Sequence, residues 1–407
     1  MKVWINKSNA SGICISQPSK SYAHRLLIAS CLSSDECRVE NIVLSNDILA
    51  TINCIKTLGK EVVVEGEAIK TLIIKNDKSF NIDNIDELIF DCNESGSTLR
   101  FFIPIALTLG KKAIFKGTKR LIERGIKIYE DICAKQNIKI IKQDQSITFI
   151  GKLHSDIFEV DGSISSQFIT GLLFALPLLE GKSIIKVVSK LESKNYIDIT
   201  IDVLNKAGIN IEVKDNVYII ENQKYNANVY KTEGDYSNSA FIECFNYLGG
   251  KVTIEGLNDL SVQGDKKYLE ILPMLDKGYC TVDISNCIDL GPILFCFAAL
   301  KHGACFTGVS RLKIKESDRI DAVRQELNKF GVEVIERDNK VFINNENIHK
   351  PKDILYGQND HRIVMALSVM LTVYGGCING YEAINKSYPS FFDDLEKLCI
   401  EVKYDFE

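Results

Sequence analysis

The chain has 407 residues, 45% of them hydrophobic and 25% charged, with a net charge of −5 at neutral pH. That length supports two domains with substantial cores, and the composition is that of an ordinary water-soluble globular protein. An acidic balance without a dense Lys/Arg tract excludes a non-specific nucleic-acid binder, and no apolar stretch reaches the roughly 20 residues of a membrane span.

Only residues 1–7 precede the first polar stretch, so no signal or transit segment is expected, and a bacterial cytoplasmic location is. The 13 cysteines are scattered, with no Cys-x-x-Cys pair and no suitably spaced His. They are expected as reduced, mostly buried thiols rather than disulfides or metal ligands.

Six polar runs open into apolar, helix-like segments. In order they are Ser19-Lys20-Ser21-Tyr22-Ala23-His24-Arg25, Glu94-Ser95-Gly96-Ser97-Thr98-Leu99-Arg100 and Ser163-Ile164-Ser165-Ser166-Gln167, then Gly234-Asp235-Tyr236-Ser237, Asp289-Leu290-Gly291-Pro292 and Asn359-Asp360-His361-Arg362. Neighbours lie roughly 55 to 80 residues apart, a repeat of supersecondary size. A second signal falls out of phase with the first. Leu58-Gly59-Lys60, Ala207-Gly208-Ile209 and Phe330-Gly331-Val332 read as helix end, glycine cap and entering strand, with looser copies at Gln136-Asn137-Ile138 and Leu398-Cys399-Ile400. Asp215-Asn216 and Asp338-Asn339 then sit between paired strand-like runs, as in hairpins.

Together these signals predict a unit of strand, buried helix, strand, amphipathic helix and hairpin, and six copies of roughly 68 residues fill the chain. Residues 168–179 lack a polar stripe and predict a helix buried all round, whereas Ile320, Val323, Leu327 and Phe330 predict an amphipathic one. The fold class is therefore α/β, with three βαβαββ repeats in each of two domains. The polar stretch 221–228 is the expected linker. The expected domains are residues 19–228 and residues 1–18 plus 229–407, the N-terminal strand completing the second. If the buried helices run parallel, their anion-attracting N-termini converge, and the expected site is a cleft between the two domains.

Several strings carry candidate chemistry. Lys20-Ser21 with Arg25 sets a hydroxyl and two cations on one helix face, though alone it also fits a solvated turn. Ser163 or Ser165 fits either an anion contact or a helix cap. Lys313-Ile314-Lys315-Glu316-Ser317-Asp318-Arg319 is the most specific string: Lys315 and Arg319 are four apart, Glu316 and Asp318 can hold them, and Ser317 is the expected cap. Asn359-Asp360-His361-Arg362 places another Arg at a helix start. Glu123-Arg124-Gly125-Ile126 and Lys386-Ser387-Tyr388-Pro389 are weaker signals. No nucleotide loop, zinc spacing or serine-hydrolase elbow is present.

These strings, with Ser193-Lys194-Asn195-Tyr196 and Ser261-Val262-Gln263-Gly264-Asp265, resemble the enolpyruvyl transferase family, and within it the branch acting on shikimate 3-phosphate. The resemblance runs from Lys20 to Phe392. It implies a two-domain enolpyruvyl-transferase-like fold that closes over its substrates. It also implies transfer of the enolpyruvyl group of phosphoenolpyruvate to the 5-hydroxyl of shikimate 3-phosphate, through a tetrahedral intermediate, with neither metal nor organic cofactor. Carried over by position, Lys20, Gly96, Arg124, Arg319, Arg362 and Lys386 resemble the phosphoenolpyruvate ligands. Lys20, Ser21, Arg25, Ser165, Ser166, Gln167, Ser193, Tyr196, Asp289 and Lys315 resemble the shikimate 3-phosphate ligands. Asp289 resembles the base at the reacting hydroxyl, and Glu316 and Lys20 are candidates for the remaining proton transfers.

The chain departs from the family pattern in places. Glu94 stands in a usual Asn position and is expected to pair with Arg100 or another cation. Phe101 replaces a Pro or Leu, Gly125 a Pro and Lys313 an Arg, and Arg311 falls near a usual Asn. Two other readings remain. One is the sister enzyme acting on UDP-N-acetylglucosamine, whose loop Cys has no counterpart in residues 116–124. The other is a non-catalytic relative binding a phosphorylated ligand. The expected partners are small molecules only, without nucleic acid or membrane, and the expected state is a monomer.

Overall fold

The computed structural model describes residues 1–405. All six polar openings start helices. Ser19, Ser95, Ser165, Asp235 and Asp360 each accept a first-turn backbone N–H and cap the helices Lys20–Leu32, Gly96–Thr108, Ser166–Ala175, Tyr236–Tyr247 and His361–Tyr374. The remaining one, Gly291–Leu300, starts without a side-chain cap. A short 3-10 turn, Ile288–Leu290, leads into it and Pro292 fills its first turn, so the Asp289 carboxylate is not spent on capping.

All five helix exits read from the sequence adopt left-handed backbone: Gly59, Asn137, Gly208, Gly331 and Cys399 have φ of 79°, 56°, 80°, 78° and 64°. Asp338 and Asn339, at 51° and 56°, turn a hairpin in which both central residues have positive φ, the two-residue turn that matches strand twist.

Pro18–Glu233 forms one compact unit, and Met1–Gln17 with the chain from Gly234 forms the other. The first contains three four-stranded sheets. In spatial order their strands are Val229–Lys231, Cys37–Ile42, Lys70–Asn76 and Lys60–Glu65; Glu87–Asp91, Lys112–Lys116, Ser146–Ile150 and Lys139–Gln143; and Ile157–Val160, Ser183–Val187, Val217–Ile220 and Glu212–Lys214. In each sheet the first pair is parallel and the others antiparallel.

The second unit repeats the pattern twice, with Thr281–Asp283, Ala304–Thr307, Lys340–Asn344 and Glu333–Arg337, and with Leu355–Tyr356, Gly376–Asn379, Lys2–Ile5 and Val402–Asp405. The N-terminal strand thus fills an interior place in the last sheet. The fourth repeat departs from expectation: it has no hairpin, and its sheet is only Lys251–Glu255 paired in parallel with Ser11–Ile15. Asn246 occupies the backbone N–H and C=O of Val252 at 2.7 and 2.9 Å, blunting that sheet's edge.

The linker expectation is also corrected. Residues 221–228 lie on the first unit rather than between units: Tyr225 is buried with its hydroxyl on Phe174 O, and Gln223 N reaches Pro177 O. The following strand, Val229–Lys231, pairs with Arg38–Glu40. The boundaries therefore fall at 17/18 and 233/234, not 18/19 and 228/229.

The helices Gly96–Thr108 and Ser166–Ala175 cross closely in the first unit. At Gly171 a Cβ would lie 2.3 Å from both Arg100 O and Tyr129 Oη, so a side chain there is excluded. Pro104 has no N–H for Arg100 O, and the Tyr129 hydroxyl supplies that bond at 2.6 Å, lying also 3.1 Å from Phe168 O. Twelve of the 13 cysteines are buried or half-buried, Cys399 alone is exposed, and all are free thiols. No described helix is long and apolar enough to cross a membrane.

Candidate active site

In the unit containing residues 234–405, Arg319 is the hub. It is 1% exposed, and its Nε lies 2.8 Å from Asp360 Oδ2, its Nη1 2.8 Å from Asp289 Oδ1 and its Nη2 2.8 Å from Glu316 Oε2. Lys315 Nζ reaches the same Asp289 Oδ1 at 3.0 Å, and Arg362 Nη2 lies 3.5 Å from Asp289 Oδ2. Lys386, also buried, donates to Asn359 O at 2.7 Å, beside the Asp360 cap. Asp289, Lys315, Glu316, Arg319, Arg362 and Lys386 are thus gathered around three helix starts.

Burial raises the Asp289 pKa, but Lys315, Arg362 and Arg319 outweigh it and hold the carboxyl well below its ordinary value. Burial lowers the Lys315 pKa, only partly offset by Asp289. Arg319 is the reverse: Asp360, Glu316 and Asp289 outweigh burial and fix it as a cation. Removing one partner from such a cluster leaves a buried uncompensated charge, at a cost of about 3–5 kcal/mol.

The capping expectation at Ser317 is corrected. Asp318 caps the helix Arg319–Asn328, accepting from Ile320 N and Asp321 N at 3.2 Å each, while Ser317 Oγ donates to Asp360 at 3.0 Å. A carboxylate offers more acceptor sites than a hydroxyl and is favoured by the helix dipole.

In the Pro18–Glu233 unit two groupings form. Around the second helix start, an added Gly96 Cβ would lie 2.8 Å from Arg124 Nη1 and 2.9 Å from Arg100 Nη1, so two guanidiniums flank Gly96. Arg100 Nη1 donates to Gln167 Oε1 at 2.7 Å, and Gln167 Nε2 donates to Ser97 Oγ at 3.0 Å. Ser165 caps the next helix, with Ser166 buried in its first turn. This decides between the two serines as cap, since Ser163 instead donates to Asp161.

Around the first helix start, Arg25 is buried. It donates to Ser21 O at 2.7 Å, Thr200 Oγ1 at 2.9 Å and Tyr196 O at 3.1 Å, and it lies 5.1 Å from the Phe101 ring centroid. Burial brings its pKa down to about 10, still a cation at neutral pH. Lys20 Nζ pairs with Asp47 Oδ2 at 2.9 Å. Ser193 is buried and left-handed, φ 54° and ψ 40°, an uncommon conformation for a non-glycine residue and one that clusters at functional sites.

Four partners lie outside the set read from the sequence: Asp47 on Lys20, Asp360 on Arg319, Thr200 on Arg25 and the buried Asp265 beside Ser237. Asp360 was visible as part of a helix opening. Asp47 and Thr200 sit on amphipathic helices, where nothing local in the sequence marks their distant partner. Among the described residues no three His, Cys, Asp or Glu side chains gather in a way that could hold a metal ion.

An EPSP synthase of Acinetobacter baumannii matches over 100% of both chains with a TM-score of 0.77 at 16% identity. The enolpyruvyl transferase NikO of Streptomyces tendae matches over 99% of this chain and 98% of its own, with a TM-score of 0.77 at 12% identity. The fold is that of the enolpyruvyl transferases. The profile of the family described as EPSP synthase (3-phosphoshikimate 1-carboxyvinyltransferase) matches residues 6–276 and 273–395. Proteins named 3-phosphoshikimate 1-carboxyvinyltransferase are 39% identical in Clostridium acetobutylicum, over 94% of this chain and 93% of the relative, and 39% identical in Clostridium kluyveri, over 98% of each. The chain belongs to the EPSP synthase family.

Proposed function

We propose that this chain transfers the enolpyruvyl group of phosphoenolpyruvate to the 5-hydroxyl of shikimate 3-phosphate and releases phosphate. The observation that carries the reading is the cluster of Lys315, Arg319 and Arg362 on Asp289. Two phosphates and two carboxylates have to be held together, and positioned cations and helix N-termini offset their repulsion. Arg124 at Gly96, with Lys20, Arg319, Arg362 and Lys386, takes phosphoenolpyruvate. Ser21, Arg25, Ser165, Ser166, Gln167, Ser193, Tyr196 and Lys315 take shikimate 3-phosphate.

Asp289 receives the proton of the reacting hydroxyl as its oxygen bonds to C2 of phosphoenolpyruvate and the methylene carbon gains a proton. Loss of that methylene proton and of phosphate then regenerates the double bond. Without substrate, three cations make Asp289 a poor base. An incoming phosphate and carboxylate draw Arg319 and Arg362 towards themselves, and the basicity of Asp289 rises when it is needed. Glu316 and Lys20 carry the methylene and bridging-oxygen protons.

Phosphate release from phosphoenolpyruvate, with shikimate 3-phosphate and UDP-N-acetylglucosamine as separate acceptors, tests this. Release is expected with shikimate 3-phosphate alone. Asp289→Ala and Lys20→Ala are expected to lower kcat by at least about 100-fold, the scale of general acid–base catalysis. Release only with the nucleotide sugar, or near-normal kcat in either variant, contradicts the corresponding assignment.

A further inference from the structure

Beyond the residues given a role above, a buried chain of side chains joins three helices of the Pro18–Glu233 unit. His24 Nδ1 and Thr51 Oγ1 are 2.8 Å apart, Thr51 Oγ1 and Thr98 Oγ1 are 2.8 Å apart, and Thr98 Oγ1 donates to Ser95 Oγ across 2.7 Å. None of the four residues is more than 1% exposed. His24 lies one turn beyond Lys20 on the helix Lys20–Leu32, and Thr51 one turn beyond Asp47 on Asn46–Thr57. The chain is therefore the next rung below the Lys20–Asp47 ion pair. Its far end, Ser95, caps the helix that begins at Gly96.

Counting protons gives the chain a direction. Each hydroxyl carries one proton. Thr98 gives its own to Ser95, so it accepts from Thr51, and Thr51 accepts in turn from the Nδ1–H of His24. This requires a proton on Nδ1, and because burial, helped by Lys20 and Arg25, holds His24 well below its ordinary pKa, the ring is the neutral Nδ1–H tautomer. Ser95 Oγ accepts from Thr98 N at 3.2 Å as well as from Thr98 Oγ1, and what it retains to offer is its own O–H. That hydroxyl sits at a helix start where Arg100 and Arg124 flank Gly96 and the first backbone N–H groups lack intrahelical acceptors.

We propose that His24, Thr51 and Thr98 are positioning residues for phosphoenolpyruvate: they orient Ser95 so that its hydroxyl donates to the anion bound at Gly96. The inference rests on the assignment of Gly96 to phosphoenolpyruvate made above. Each member fixes the next, so losing a hydroxyl anywhere along the chain loosens the same donor. The effect belongs to one substrate, because neither Thr51 nor Thr98 bonds to Arg25, which serves shikimate 3-phosphate.

The test compares hydroxyl removal with hydroxyl retention at the same positions. Thr98→Val and Thr51→Val are each expected to raise the KM for phosphoenolpyruvate about tenfold and that for shikimate 3-phosphate by less than about twofold. Thr98→Ser and Thr51→Ser are expected to stay near the parent, as is His24→Asn, whose amide can donate near the Nδ1 position, whereas His24→Leu follows the valine variants. Thermal melts on every variant separate this from loss of fold, and the two sites and His24 give independent readings if one variant fails to fold. Both KM values rising together, or Ser behaving no better than Val, overturns the role of the chain while leaving the reaction standing. Absence of turnover with shikimate 3-phosphate in the unmodified enzyme overturns the reaction and this role with it.

Discussion

Asp265 shows how a single buried carboxyl couples the site to pH. It is 3% exposed and bonded to the Ser237 hydroxyl. Burial, with Asp289 as the second cause, pushes its pKa up to about 6, against the partial relief of Arg362. A carboxyl raised above its unfolded value, about 3.9, binds its proton more tightly in the folded chain. Its contribution to stability is therefore fully present below about pH 4 and is lost as pH rises to about 6 and beyond. Asp265→Asn removes the titration. Relative to the parent, the variant is expected to gain about 2–3 kcal/mol between pH 4 and pH 8, read from denaturant unfolding at both values. An equal difference at the two pH values would count against this account. Asp289 is the opposite case: held low by cations, it favours the fold at neutral pH and gives up that contribution in acid.

At the scale of elements, the crossing of Gly96–Thr108 and Ser166–Ala175 is held by a device built from three residues. Pro104 removes a helix hydrogen bond, Tyr129 restores it from outside, and Gly171 makes room for both. Tyr129→Phe strands Arg100 O and is expected to cost about 1–3 kcal/mol, the cost of an unsatisfied buried polar group, measurable as a lowered unfolding midpoint. An unchanged midpoint would mean that the bond contributes nothing.

Local grammar of this kind explains what could be read from the sequence. The helix openings, the five left-handed exits and the buried helices are encoded by adjacent residues, so cap chemistry and apolar periodicity reveal them. Arg362 at one of those openings and the charged string Lys315–Arg319 were legible too, and Arg319, Arg362 and Lys315 converge on Asp289. What stayed hidden depends on contacts distant in sequence. Asp47 meets Lys20 only because two helices pack, and the Ser317 hydroxyl, turned to Asp360 on another helix start, leaves the cap to Asp318. The missing fourth hairpin could be read only as an absence, which a repeat count smooths over.

At the scale of the molecule, two strands trade places. Val229–Lys231 directly precedes the fourth buried helix yet completes the sheet of Cys37–Ile42, while Ser11–Ile15 pairs with Lys251–Glu255. The first strand, Lys2–Ile5, is flanked by Gly376–Asn379 and Val402–Asp405, with Lys2 opposite Asp405. Deleting Met1–Gln17 removes strands from two sheets of one unit and is expected to abolish soluble expression. Joining the two ends by a short glycine-rich bridge, and reopening the chain at the exposed Asp144–Gln145 turn, keeps every strand. That permuted chain is expected to retain most of the parent's turnover and its far-ultraviolet circular dichroism spectrum, and its failure to fold would show that the order of the chain matters beyond its contacts.

The strand exchange also sets a timetable for a chain emerging from the ribosome. Residues 11–15 leave the exit tunnel roughly 240 residues ahead of the strand that receives them, a wait of roughly ten seconds to a minute at ordinary rates of translation. During that interval Ile13 and Ile15 have no sheet to join. They remain partly uncovered even when folded, at 60% and 71% exposure. Residues 11–15 are thus made early and used late, and until Lys251–Glu255 is synthesised their backbone N–H and C=O groups lack the strand that pairs with them.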